Sequence, residues 1–205
     1  MKKNIITISR EFGSGGRTIA KIVADTLGYK FYDDALVERV AAESGYSVDF
    51  VKQHGEDASS TSSFLFNLAR SGSSGSAGVP GISDKLYVIQ HNTICKIADE
   101  GPCVIVGHCA DYILKDREDA LHAFIFADMK FKADRIVRLY GECDVSPYRR
   151  LEAKDKRRKV YYKNYTGRHW GLSNNYHVCL DSSLFGVENC ARIIIDLAGC
   201  ERTES

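Results

Sequence analysis

The chain lacks an excess of either charge: 28 Lys and Arg are matched by 27 Asp and Glu, a formal net charge of +1 over 205 residues. That balance excludes the broad positive field that holds a protein on nucleic acid or an anionic membrane. Any positive charge that matters for function must be gathered locally. Paired cysteines are missing as well. The seven cysteines, at 95, 103, 109, 143, 179, 190 and 200, form no C-x-x-C, their number is odd, and several lie inside apolar runs. Such usage argues against a disulfide or zinc framework and for a reducing compartment, with Cys acting as a small hydrophobe. Long apolar runs are absent too. The opening one breaks at Ser9 and Arg10, and no later run approaches a membrane span. There is no internal repeat. The expectation is one domain, residues 1–205, soluble and cytoplasmic, with no membrane partner.

What the chain does have is a glycine cluster in a telling place. In IITISREFGSGGRTIA, residues 5–20, Ile5, Ile6 and Ile8 read as a buried strand. Ile19, Ile22, Val23 and Leu27 then fall on one helical face that ends at Gly28. Glycines between a strand and a helix let consecutive N–H groups turn inward, and the helix N-terminus adds a partial positive charge, a combination suited to phosphate. Against the phosphate-loop template G-x-x-x-x-G-K-[ST], Glu11 to Thr18 keeps Gly16 and Thr18, with Glu11 in place of the first glycine and Arg17 in place of the lysine.

Strands and helices then alternate. YKFYD at 29–33 reads as a strand, DALVERVAAESG as a helix capped by Asp33 or Asp34 and stopped at Gly45, and SVDFVKQHG as a short helix capped by Ser47. Between 57 and 83 the composition shifts to Ser and Gly, an expected flexible excursion. Its apolar island Phe64, Leu65, Phe66 and Leu68 needs cover from the rest of the fold or from a second copy of the chain. A helix follows from Asp84, then CVIVG at 103–107, an unbroken run suited to a central parallel strand. LHAFIFAD at 121–128, FKADRIVRLYG, a long charged helix from Ser146 with Pro147 at its first position, YHVCLDSS at 176–183 and VENCARIIIDLAGC complete the order. Alternation of this kind implies an α/β three-layer fold on a parallel sheet, with ligands at the carboxyl ends of the strands.

Those ends carry the glycine loop, Asp33 and Asp34, GHCAD at 107–111, Asp128, and Asp181 with Ser182 and Ser183. Asp34 and Asp128 read as helix caps. Asp33 and Asp181 read as site residues. His108 suits either a loop cap or a binding role. From Ser146 to Gly171 nine residues are basic, and most of them suit a solvated helix face. With so neutral a chain, a nucleic-acid partner is not expected.

In this order, SREFGSGG, Y-x-F-Y-D, VGHCADYIL, A-D-R-I-x-R, a basic segment with D-x-x-R, and CLDSS resemble the cytidylate kinase-like branch of the P-loop nucleoside monophosphate kinases, over nearly the whole chain. The resemblance implies a P-loop NTPase fold with a five-stranded parallel sheet. It also implies a mobile acceptor-binding helical insert, here 34–100, and an arginine lid, here 146–171. It implies transfer of the γ-phosphoryl group of ATP to a nucleotide, CMP or dCMP, chemistry that needs positioning and charge neutralisation. By motif, Gly13, Ser14, Gly15, Gly16, Arg17 and Thr18 would hold the donor phosphates, with Thr18 facing Mg²⁺. Arg17, Arg157 and Arg158 would be catalytic, Asp155 accompanying Arg158 in the D-x-x-R motif. Asp33, His108, Asp111 and Asp181 would bind the acceptor. Both lid arginines are expected to be exposed, so that losing them costs activity and little stability. Where members end the third strand in G-R-D, this chain has Gly107, His108 and Cys109. Two further readings therefore stand beside the nucleotide kinase: a phosphotransferase with another small acceptor, and a nucleotide-binding regulatory protein with little turnover. A homo-oligomer formed through 57–83 is compatible with all three.

Overall fold

Neighbouring residues of the first strand face opposite sides of a sheet, and both sides are covered. Ile6 and Ile8 join one core with Val104 and Val106, whereas Ile5 joins a second with Cys103 and Ile105. The computed structural model describes residues 3–56 and 81–199. In chain order it runs β1 (Ile5–Arg10), α1 (Gly16–Leu27), β2 (Lys30–Tyr32), α2 (Asp34–Ser44), α3 (Val48–His54), α4 (Ile82–Asp99), β3 (Cys103–Val106) and α5 (Ala110–Ile113). After these come β4 (Ala120–Phe126), α6 (Met129–Tyr140), α7 (Pro147–Thr166), a 3₁₀ turn, β5 (Val178–Asp181), α8 (Ser182–Phe185) and α9 (Val187–Gly199).

The strands form one five-stranded parallel sheet in the order β2-β3-β1-β4-β5, as the α/β reading requires. Its central strand, β1, is the one that carries the glycine loop. α1 and α9 cover one face through Ile19, Val23 and Ile194. α2 and α4 cover the other through Leu36, Val40, Ile94 and Ile97. Each of these side chains, removed from water, contributes about 1.5–3 kcal/mol. The helices of the expected insert are thus part of the main core. α4 begins at Ile82, two residues before the expected start, because Gly81 caps it. The rest of the Ser/Gly stretch, with its apolar island and the oligomer contact assigned to it, lies outside the described residues.

The long charged helix is α7. Ser146 caps it by accepting a hydrogen bond from Arg149 N, and Gly167 ends it in the left-handed conformation. Leu151, Asp155, Arg158, Tyr162 and Thr166 recur at helical spacing and are all buried. Only Leu151 enters an apolar cluster, with Ala133 and Ile136 of α6. A mostly polar stripe is buried here, so the helix is packed for what its polar groups touch.

Candidate functional site

The loop between β1 and α1 turns through two glycines in the left-handed region, Gly13 and Gly15, each with φ of 83°. A Cβ on Gly13 would lie 2.9 Å from the Lys132 carbonyl oxygen, so this position has neither the conformation nor the room for a side chain. Four contacts fix the loop. Ser182 Oγ donates to the Ser14 carbonyl at 2.5 Å, and Ser14 Oγ donates to the Glu11 carbonyl at 2.9 Å. Phe12 N donates to Asp155 Oδ1 at 2.7 Å, and Arg158 Nη1 to the Arg10 carbonyl at 3.0 Å. The D-x-x-R pair of α7 therefore grips the backbone of the glycine loop. Arg158 is 6% exposed, which corrects the expectation of an exposed lid arginine. Burial pushes the Asp155 carboxyl up, opposed by the Phe12 N–H and Arg158. Glu11, in the template's first-glycine place, turns onto buried Lys132, 2.7 Å from its Nζ.

A cavity of about 210 Å³ opens above this loop, lined by Thr18, Asp33, Asp34, Arg135, Tyr140 and Arg158 as well as its glycines. Arg17 is exposed at its mouth and forked between two carboxylates, with Nε 2.6 Å from Asp33 Oδ2 and Nη2 2.6 Å from Asp34 Oδ2. Asp34 is the first residue of α2 and holds Arg17, and the cap position is Asp33, whose side chain accepts no capping hydrogen bond, which corrects the reading of Asp34 as the cap. Thr18 Oγ1 accepts a hydrogen bond from Arg135 Nη2 at 2.8 Å. Arg135 was visible in A-D-R-I-x-R, but nothing in sequence brings α6 across to the loop. The hydroxyl of Thr18 and the carboxylates of Asp33 and Asp34 are hard oxygens on the cavity that would take the phosphates. That donor set fits Mg²⁺, which typically takes one or two protein oxygens and completes its shell with phosphate and water.

A second cavity, of about 660 Å³, adjoins the first. Leu36, Val37, Val40 and Val51 give it an apolar wall, and Arg10, Glu56, Gln90, His108 and Arg157 a polar one. Arg10, Asp33, Asp34 and Lys154 line both cavities. Glu56 is the buried charge of the larger one. Its Oε1 lies 2.8 Å from Arg10 Nη1 and 3.8 Å from Arg158 Nε, and its Oε2 accepts from His108 N at 3.1 Å. Burial alone would raise the Glu56 carboxyl, but Arg10, His108 and Arg158 outweigh it and hold it at about 2. His108 lines the larger cavity, with its Nδ1 3.2 Å from Gln90 Oε1, and Gln90 Nε2 donates to its carbonyl at 2.9 Å. His108 and Cys109 both take positive φ, 58° and 59°, an uncommon conformation for non-glycine residues that aims this loop at the cavity.

Two expected acceptor residues are not brought there. Asp111 is 2% exposed and lines neither cavity; it accepts from Ser9 Oγ at 3.2 Å and from the Tyr162 hydroxyl at 2.6 Å. Asp181 lines neither cavity and caps α8, accepting from Ser183 N at 2.9 Å. One is drawn inward by hydroxyl donors and the other is occupied by a helix terminus. Asp128 caps α6 as expected, accepting from Phe131 N at 2.8 Å. Arg10 and Glu56 were missed in the sequence, because 46 residues separate them: Arg10 lies in SREFGSGG but received no role there, and Glu56 belongs to no recognisable motif.

A glycine loop on the central strand beside a larger, mixed cavity is the layout of a phosphate-transferring enzyme, and comparison with known proteins agrees. Residues 5–184 match the cytidylate kinase-like family. The chain belongs to that family. A cytidylate kinase of Aeropyrum pernix is 26% identical over 194 residues, covering 92% of this chain and 95% of its own. A crystal structure of an uncharacterized protein from Eubacterium ventriosum is 27% identical, with a TM-score of 0.70, covering 95% of this chain and 97% of its own. Shikimate kinase from Acinetobacter baumannii, in complex with shikimate, shares the fold alone: TM-score 0.53 at 14% identity, covering 94% and 91%. Family membership and fold together support a nucleotide or small-molecule kinase. Among the described residues no helix is long and apolar enough to cross a membrane.

Proposed function

We propose that this member of the cytidylate kinase-like family transfers the γ-phosphoryl group of ATP to a nucleoside monophosphate, CMP or dCMP, in the cytoplasm. The observation that carries the reading is the pair of adjoining cavities with Arg10, Asp33, Asp34 and Lys154 on their common border. The donor phosphates lie on the backbone from Gly13 to Thr18, where the turn and the first turn of α1 supply N–H groups. Thr18 would hold Mg²⁺ together with the phosphates, and the ion would supply neutralisation of the donor's charge. The acceptor occupies the larger cavity, its base against Leu36, Val37, Val40 and Val51 and its phosphate toward the border. Arg157 on the acceptor side and Arg158 on the donor side add positive charge, and Asp33 and His108 supply polar contacts. Arg17 leaves Asp33 and Asp34 when phosphate enters. Catalysis is then positioning and charge stabilisation.

A second reading is favoured by one observation. Arg17 and Thr18 are both already engaged, by Asp33 with Asp34 and by Arg135, as in a nucleotide-binding protein with little turnover. Both readings meet one experiment: the protein with ATP and Mg²⁺ and a panel of nucleoside monophosphates and small alcohols, read as ADP formed. CMP or dCMP should give the highest rate. A small alcohol in that place would change the acceptor, and background ADP throughout would remove the phosphotransferase.

A further inference from the structure

Gly16 has no side chain because another residue's side chain occupies its space. A Cβ built on Gly16 would collide with Cβ and Cγ of Arg10, and one built on Gly107 would collide with the Arg10 guanidinium. The stem of Arg10 therefore crosses the first residue of α1, and its head lies over the end of β3, against Glu56. Gly15 is the left-handed cap of α1, so the glycine that turns the loop into the helix is Gly15. Placing the template's second glycine there shifts the match by one residue. Arg10 then stands for the first glycine, Gly16 for the lysine and Arg17 for the Ser or Thr.

We propose that Arg10 is the catalytic cation of this loop, its side chain filling the place left empty at Gly16, with Glu56 as the residue that positions it. The proposal rests on the phosphotransferase reading and sharpens it. Arg17 points outward, its side chain 59% exposed and bound by Asp33 and Asp34. Arg10 points inward, its side chain 11% exposed, and lines both cavities. A guanidinium at the border between donor and acceptor faces the group that passes between them, where charge develops during transfer. The forked head lets one nitrogen stay on Glu56 while others meet phosphate oxygens, which an ammonium could not do from the same position.

The test compares Arg10→Met paired with Glu56→Gln, so that no buried carboxylate loses its main partner, with Arg17→Met. Each is measured for turnover, thermal midpoint, and affinity for ATP and AMP by calorimetry. The Arg10 double variant should lose about 100-fold or more in kcat. It should also weaken ATP binding more than AMP binding, and Arg17→Met should lose less than about tenfold in kcat. A transplant gives an independent reading. Gly16→Lys alone should fail to fold or to turn over, since its side chain meets Arg10. Arg10→Gly with Gly16→Lys should recover at least about tenfold over Arg10→Gly. Equal or larger losses in Arg17→Met, with no recovery in the transplant, would return the role to Arg17 and overturn the proposal. If the wild type binds ATP but transfers nothing, the kinase reading falls. Arg10 is then judged by the gap between ATP and AMP affinity, which must close in the Arg10 variant and persist in Arg17→Met.

Discussion

The hydroxyl of Tyr162 donates a 2.6 Å hydrogen bond to Asp111 Oδ2, joining α7 to the segment after β3 across 51 residues of chain. With Asp155 on Phe12 N and Leu151 in its apolar cluster, this bond fastens the inner face of α7 at three levels. A hydrogen bond to a charged group contributes about 1.5–3 kcal/mol, so lid movement that separated this face from the sheet would forfeit several such terms. If residues 146–171 close over nucleotide as the lid proposal requires, a shift of the helix ends costs fewer of these contacts than a swing of the whole helix.

Asp111 should make stability depend on pH in a specific direction. Burial pushes its carboxyl up to about 6 against the hydrogen bonds from Tyr162 and Ser9. The folded value lies above the ordinary 3.8, so the contribution is complete below that pH and is lost as pH rises through about 6. Asp111→Asn should flatten this part of the profile of thermal midpoint against pH. An unaltered slope between pH 4 and 6 would contradict the assignment.

Glu56 should act with the opposite sign. Its carboxyl falls from 4.5 to about 2, so its contribution is present above pH 4.5 and is lost as pH falls toward 2. The shift corresponds to on the order of 3 kcal/mol. Glu56→Gln should lower stability at pH 7 and remove this part of the acid sensitivity, measured by urea unfolding at pH 7 and pH 3.

Arg157 and Arg158 should separate by readout. Arg157 is only partly buried and lines the larger cavity, so Arg157→Ala should lower turnover with less than about 1 kcal/mol lost in stability. Arg158 is buried against Glu56, Asp155 and the Arg10 carbonyl, so Arg158→Ala should cost about 3–5 kcal/mol as well as activity. Equal thermal midpoints for the two variants would count against the buried role.

On the motif match that puts Thr18 in the Ser/Thr place, Thr18→Ala should weaken ATP binding more with Mg²⁺ than without it, because its hydroxyl would be the loop oxygen on the metal. The match shifted by one residue puts Arg17 there instead, and the two losses should then be equal. Arg135→Met, which removes the 2.8 Å donor to that hydroxyl, should reduce ATP affinity with and without Mg²⁺, since it takes a cation from the phosphate cavity. Calorimetric titrations of both variants distinguish the two effects. Equal losses with and without metal in Thr18→Ala would remove the metal role.

Local physics made much of the fold legible from sequence. The β-branched runs at 5–8 and 103–106 could be buried on both faces only as central parallel strands, and the glycines at 13, 15 and 28 mark turns in the left-handed region. From these the sheet, the phosphate loop and its helix follow. That Asp33 and His108 line a cavity was expected from their places after strands, since the carboxyl ends of parallel strands open onto a crevice. Tertiary structure alone decided which polar residues meet. Asp111 and Asp181 sit at strand ends like Asp33, yet hydroxyl donors take one and a helix terminus the other. Arg10 looked like the end of a strand and Glu56 like the edge of a low-complexity stretch. Only chain crossing brings them within 2.8 Å, because the partners of a buried charge are set by three-dimensional proximity and leave no periodic trace along the chain.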